Sequence, residues 1–372
     1  MTNAKTLLDL VPESLLPLSK TEKALCVAAQ KSGWAYFTKS NQCLDEWGQG
    51  NIHALPRNPS KAKNLPVIRA EVVAWILTDK RAHEFLTHTG LTICGARIEG
   101  ELDASFAVLP WQFRLLRCFV PGGMLLQDAE FGLLNFEGSH VHGVGDALNA
   151  DRIQVKGGVF LRNGFAAVGQ VRFLGADVGG DFDCDGSFRA KPEGQKLASA
   201  DRALSADGIK VRGSVFLNNG FTAVGMVRFL GADVEGNFDC GNASFQAKPE
   251  GQELASADRA LNADGIKVKG NVFLSDGFTA VGMVRFLGAD IGGDFACRAG
   301  QFLNQNGDAL SADRIKVKGG VFLNDGLIAK GEVRFPSADV GGDFACRAGK
   351  FHNRNGQALN ADVRAHGDLD KL

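Results

Sequence analysis

One string returns four times along this chain and then begins a fifth copy. ALNADRIQVKGGVFL starts at Ala147, ALSADGIKVRGSVFL at Ala203, ALNADGIKVKGNVFL at Ala260 and ALSADRIKVKGGVFL at Ala309, and ALNADVRAHGDLDKL starts at Ala358. The copies lie 56, 57, 49 and 49 residues apart. The two longer spacings carry RAKPEGQKLASADR at Arg189 and QAKPEGQELASADR at Gln246, most of which is missing later, so this insert reads as a loop outside the core. A period of this length restricts the chain to architectures in which each unit buries its apolar face against its neighbours.

A shorter period inside the unit decides among them. Gly-x-apolar-x-apolar begins at Gly157 (Val159, Leu161), Gly169 (Val171, Phe173) and Gly180 (Phe182, Cys184), in steps of 12 and 11 residues. Apolar residues two apart mark short strands with one buried face. The glycines between them, drawn from 47 in the chain, suit corners. No helical stripe of period 3.6 is present, and a propeller would need longer antiparallel strands joined by hairpins. The expected fold is an all-β solenoid, a right-handed parallel β-helix of about ten coils, with roughly 23 residues per coil and two coils per unit. Residues 147–372 form four tandem repeats and a partial fifth. Residues 91–146 carry the same grammar in degenerate form, as in GARIEGELDASF at Gly95. Residues 1–90 differ: Ser19-x-x-Glu22 is a capping box opening a helix toward Ala35, 68–78 reads as a second helix, and 42–66 as a loop. This region is expected to cap the first coil, since an open sheet edge invites pairing.

Charge is nearly balanced, with 41 basic and 42 acidic side chains. That argues against a general nucleic-acid binder, which would carry a basic excess. No leader pattern is evident at the N-terminus and no stretch approaches 18 apolar residues, so no transmembrane segment is expected. Eight cysteines in this context read as reduced thiols of a cytoplasmic protein.

VIRAEVVAWILTD at 67–79, the GARIEGELD element and copies of VRFLGADVGGDFDC together resemble a bacterial family of pentapeptide-like right-handed β-solenoids. Many of its members are labelled membrane-associated oxidoreductases. The resemblance spans residues 20–372 and implies the solenoid fold. The label's redox chemistry finds no counterpart in the residues: there is no Gly-x-Gly-x-x-Gly after a strand and no Cys-x-x-Cys. We therefore expect no enzyme activity, cofactor or metal.

Several ladders invite a functional reading. Cys184, Cys240, Cys297 and Cys346 share one position. With two coils per unit their sulfurs would stand about 9.6 Å apart, too far for a shared zinc ion or a disulfide. They should alternate in the core with Leu161, Leu217, Leu274 and Leu323. His140-x-His142 has no third ligand at a fitting spacing. Arg172, Arg228, Arg285 and Arg334 form one basic ladder and Lys156, Arg212, Lys269 and Lys318 another. Asp177, Asp233, Asp290 and Asp339 are their expected acidic counterpart. Alternation puts Phe160, Phe216, Phe273 and Phe322 outward, as an apolar stripe that the cap helices or another chain would cover; the alternative is a bulge that turns them inward. Leu369 and Leu372 would lie at an open end.

These features point first to a non-enzymatic scaffold that self-associates or docks another protein. Binding of a polyanion, nucleic acid or an anionic surface, through the Lys/Arg ladders is the second reading. A β-helix carbohydrate-active enzyme is the third, and it lacks sugar-stacking aromatics on the repeats, where no Trp and no Tyr occur.

Overall fold

Side chains that alternate in and out every two residues, with a corner every five or six, wind this chain into a parallel β-solenoid of about 12 turns. The computed structural model describes residues 5–37, 65–354, 356–366 and 369–370. One coil shows the plan. Gln154–Val155 and Val159–Phe160 are its first two faces, and Phe165–Arg172 bends to supply the third and fourth. In the next coil Asp177–Val178, Phe182–Asp183, Gly186–Arg189 and Arg202–Ser205 lie parallel to these, in register. Val155 aligns with Val178, which aligns with Val211 and then with Val234. Coils of 23 residues therefore alternate with coils lengthened at a single corner, and two coils make one unit.

The corners explain the glycines. At Gly169, Gly225, Gly282 and Gly331 φ lies between 110° and 123°. A Cβ on Gly331 would sit 2.3 Å from the carbonyl oxygen of Asn304, because the longer coil's loop crosses there. Only glycine combines that conformation with that approach.

The interior is filled by ladders. Leu161, Cys184, Leu217, Cys240, Leu274, Cys297 and Leu323 follow one another coil by coil, all fully buried, and each is held by a backbone hydrogen bond to the next coil. The half-buried Cys346 ends the row. Burial pushes these thiols up from their ordinary pKa, well above it for the three innermost. Two further ladders are aromatic. Phe165, Phe188, Phe221, Phe245, Phe278 and Phe302 are tilted on one another at 5.1–5.5 Å. Phe173, Phe182, Phe229, Phe238, Phe286 and Phe295 meet edge to face at 5.0–6.4 Å. Each contact adds about 0.5–1.5 kcal/mol to what burial alone contributes.

The N-terminal region departs from its expected boundary. The solenoid does not begin at Leu91: Trp34–Tyr36 pairs in parallel with Leu91–Cys94, and Val67–Arg69 pairs with Arg97–Glu99. These three-residue strands satisfy the outermost backbone groups of the first coil, and with them the coil count exceeds ten. Helix α1 (Lys20–Lys31) starts at Ser19 with the expected reciprocal capping box. Helix α2 (Ala70–Thr78) begins two residues later than expected, because Ile68 and Arg69 belong to the strand before it. It buries Val72, Val73, Ile76 and Leu77 and packs on Leu102–Asp103 and Val108–Leu116. The loop expected at 42–66 lies mostly outside the described residues. Cys94 is disulfide-bonded, which corrects the expectation of eight reduced thiols. Sequence spacing could not show which cysteines approach within the roughly 7 Å that a bridge needs. Among the described residues no helix is long and apolar enough to cross a membrane.

Candidate interaction surface

Residues pointing away from the core stand in rows that climb the solenoid about 4.8 Å per coil. On the second face the row runs Asn135, Phe160, Asp183, Phe216, Asp239, Phe273, Ala296 and Phe322. Phe160, Phe216, Phe273 and Phe322 do point outward, because the flanking residues of each are buried. They are half-buried and do not form the continuous stripe expected, since another residue separates each pair of rings. Arg162 covers the Phe160 ring at 4.6 Å and also bonds Asp183 and Glu137 at 2.7 Å each. Arg298 lies 4.2 Å over Phe322. Toward the C-terminal end the positions beside the rings are Ala296 and Ala345, so the stretch from Phe273 to Ala345 carries no carboxylate before the row reaches Asp370.

The first face carries a row that the sequence did not suggest. Asp177, Lys210, Asp233, Lys267, Asp290, Lys316 and Asp339 are successive neighbours, so acid and base alternate at every coil. Lys156, Arg212, Lys269 and Lys318 are exposed beside them. Arg212 reaches Asp177 at 2.7 Å and Lys269 reaches Glu235 at 2.9 Å. Exposed pairs of this kind contribute about 0–1 kcal/mol each.

The fourth face holds Arg172, Arg228, Arg285 and Arg334, half-buried. Their partners are not the Asp177 row. Each is paired with the aspartate 21 residues earlier: Arg172 with Asp151, Arg228 with Asp207 at 2.5 Å, Arg285 with Asp264 at 2.7 Å, and Arg334 with Asp313 at 3.1 Å. The same carboxylates accept the backbone N–H of Leu174, Leu230 and Leu287 at 3.0–3.1 Å. This ladder is neutralised rung by rung. The ladder is a charge-compensated seam, as facing opposite charges would make it, but its acidic partner is the aspartate of the preceding coil and not the Asp177 row.

The inserts occupy the corner between the third and fourth faces in every second coil. Gln252 of one insert bonds both backbone groups of Leu197 in the other, at 2.6 and 3.0 Å. Asn304 and Asn306 of the following unit donate to Ser256 and Leu254. The loops are thus stacked into a ridge. His142 packs edge-on against Phe119, and burial lowers the pKa of both His140 and His142. Among the described residues no group of three His, Cys, Asp or Glu side chains could hold a metal ion. Leu369 lies in the strand Leu369–Asp370, parallel to Phe344–Ala345, and Leu372 lies outside the described residues.

Comparisons with protein-family models, with curated proteins and with solved structures return no match.

Proposed function

We propose that the protein is a non-enzymatic interaction scaffold, a rod that docks a second copy of itself or another protein along its outer faces. The observation that carries this reading is periodicity. The outward Phe, the ladder arginines and the first-face charges return at one position every second coil, whereas catalysis needs a local, unrepeated convergence of nucleophile, base and oxyanion donors. The resemblance seen in the sequence adds support for the fold alone, and fold does not imply activity. A cleft of about 470 Å³ opens beside Gln305, Lys330, His352 and Arg354. Among the described residues no carboxylate lines it, which gives a glycoside-hydrolase reading no support there.

We assign the docking contact to the Phe273–Phe322 stretch of the second face, where the row is least charged. Light scattering tests the self-association branch: the native chain is expected above its 39.6 kDa monomer mass, and Phe273→Ser with Phe322→Ser at that mass. A native monomer at every concentration would confine the contact to another protein. Depolymerisation of an acidic polysaccharide by the purified chain would overturn the scaffold reading.

A further inference from the structure

One position on the fourth face differs among units that are otherwise near copies. Asp146, Arg202, Arg259 and Asp308 are equivalent, each aligned with the residue two before the next ladder arginine: Gln170, Met226, Met283 and Glu332. In the outer units the acid approaches the ladder, Asp146 at 3.7 Å from Arg172 and Asp308 at 3.7 Å from Arg334. In the two central units a third and a fourth guanidinium stand there instead. Burial, then the repulsion of Arg228 and Arg172, holds Arg202 below the ordinary arginine pKa. Arg285 and Arg228 act on Arg259 in the same way. The Nε of each is buried without an acceptor. The nearby aspartates Asp151, Asp207 and Asp264 are already engaged by their own arginines and by backbone N–H groups.

Bringing like charges together while removing them from water is costly unless an anion compensates. The fold itself supplies that anion in the outer units and withholds it in the central ones. We propose that the central part of the fourth face binds phosphate- or sulfate-type oxyanions, one held by Arg202 with Arg228 and one by Arg259 with Arg285. Guanidinium forks match the oxygen geometry of such groups. The two sites stand two coils apart, about 9.6 Å, so they accept two free ions or two groups on one extended polymer. This inference goes beyond the scaffold reading and does not depend on it.

The test is calorimetric titration of the full chain with inorganic sulfate and with inorganic phosphate at constant ionic strength, with chloride as control. Saturable binding of the oxyanions and none of chloride is expected. Arg202→Asp with Arg259→Asp installs the residue that the outer units already carry, and it should weaken binding by about tenfold or more, as loss of charge-assisted bonds implies. Arg259→Gln alone should remove one of the two sites, and it keeps the test open if the double variant does not fold. Lys156→Ala with Lys318→Ala, on another face, should leave binding unchanged. Dextran sulfate serves as the polymeric source: tighter binding per sulfate than the free ion marks a polymer-borne ligand, and equal binding marks a free one. No oxyanion binding above chloride, or binding undiminished in the Arg202 and Arg259 variants, would overturn the proposal.

Discussion

Ion pairing does different work at the two ends of this molecule. In the cap, Glu22 is almost fully buried and meets Arg69 through paired contacts at 2.8 and 3.0 Å, while also accepting from the backbone of Ser19 and Arg69. Arg69 donates onward to the carbonyl of Leu15 at 2.7 Å. One pair therefore ties the strand Val67–Arg69 to α1 and to the entry segment, 47 and 54 residues earlier in sequence. On the repeats, pairing recurs from unit to unit, and most of its members are half-exposed, with Asp151 and Asp258 the buried exceptions. A non-repeating region needs a unique, desolvated contact to fix its place, while a repeating one spreads the same chemistry over many small contributions.

The sharpest way to break that contrast is to remove its unique member. Glu22→Ala leaves the Arg69 guanidinium, about a third exposed, without its carboxylate and removes the capping-box acceptor, and should cost about 2–3 kcal/mol of cap stability, read by hydrogen exchange across α1 and α2. A ladder member costs less: Asp207→Ala should lower stability by about 1–2 kcal/mol in denaturant melts, since the Asp207 carboxylate, unlike that of Glu22, is itself partly in water and the Leu230 N–H loses its acceptor. Acid separates the regions in the same sense. Burial alone would raise the Glu22 pKa, but Arg69 and the Ser19 backbone outweigh it and hold it at about 2, against an ordinary 4.5. Its stabilisation is full above 4.5 and falls away as pH drops toward 2. Exchange protection of the cap should decline across that window before the core of the repeats does. The smallest effect is reserved for the first face, where Lys267→Ala should change stability by less than about 0.5 kcal/mol.

The legible part of the fold was whatever recurs in sequence. Two coils per unit and the Cys–Leu alternation follow from counting residues between copies, whereas the outward direction of the Phe positions was one of two readings until the buried flanking residues decided it. The partners were not legible, because contact in a solenoid joins one coil to the next, and adjacent coils here are dissimilar. GADV precedes one rung of the first face and ADGIKV the next, so the Asp–Lys alternation stayed hidden. The Arg228 partner is Asp207, one coil back, for the same reason. Arg202 and Arg259 end the inserts, and a basic residue at the edge of a loop gave no sign of standing in a row with Asp146 and Asp308. The strands Trp34–Tyr36 and Val67–Arg69 carry no copy of the repeat, so only their backbone pairing shows that they belong to the rod.

The strict alternation of odd and even coils also makes the length of this molecule a quantised variable. Inserting or deleting a whole unit leaves every join matched, with Leu against Cys, Lys against Asp and Phe against Asp or Ala. Removing a single coil would set Phe against Phe and lysine against lysine along an entire seam. Growth by duplication is therefore open only in steps of two coils, about 9.6 Å of rod each. The spacing between successive copies of any surface group is fixed at that same step, whatever the number of units.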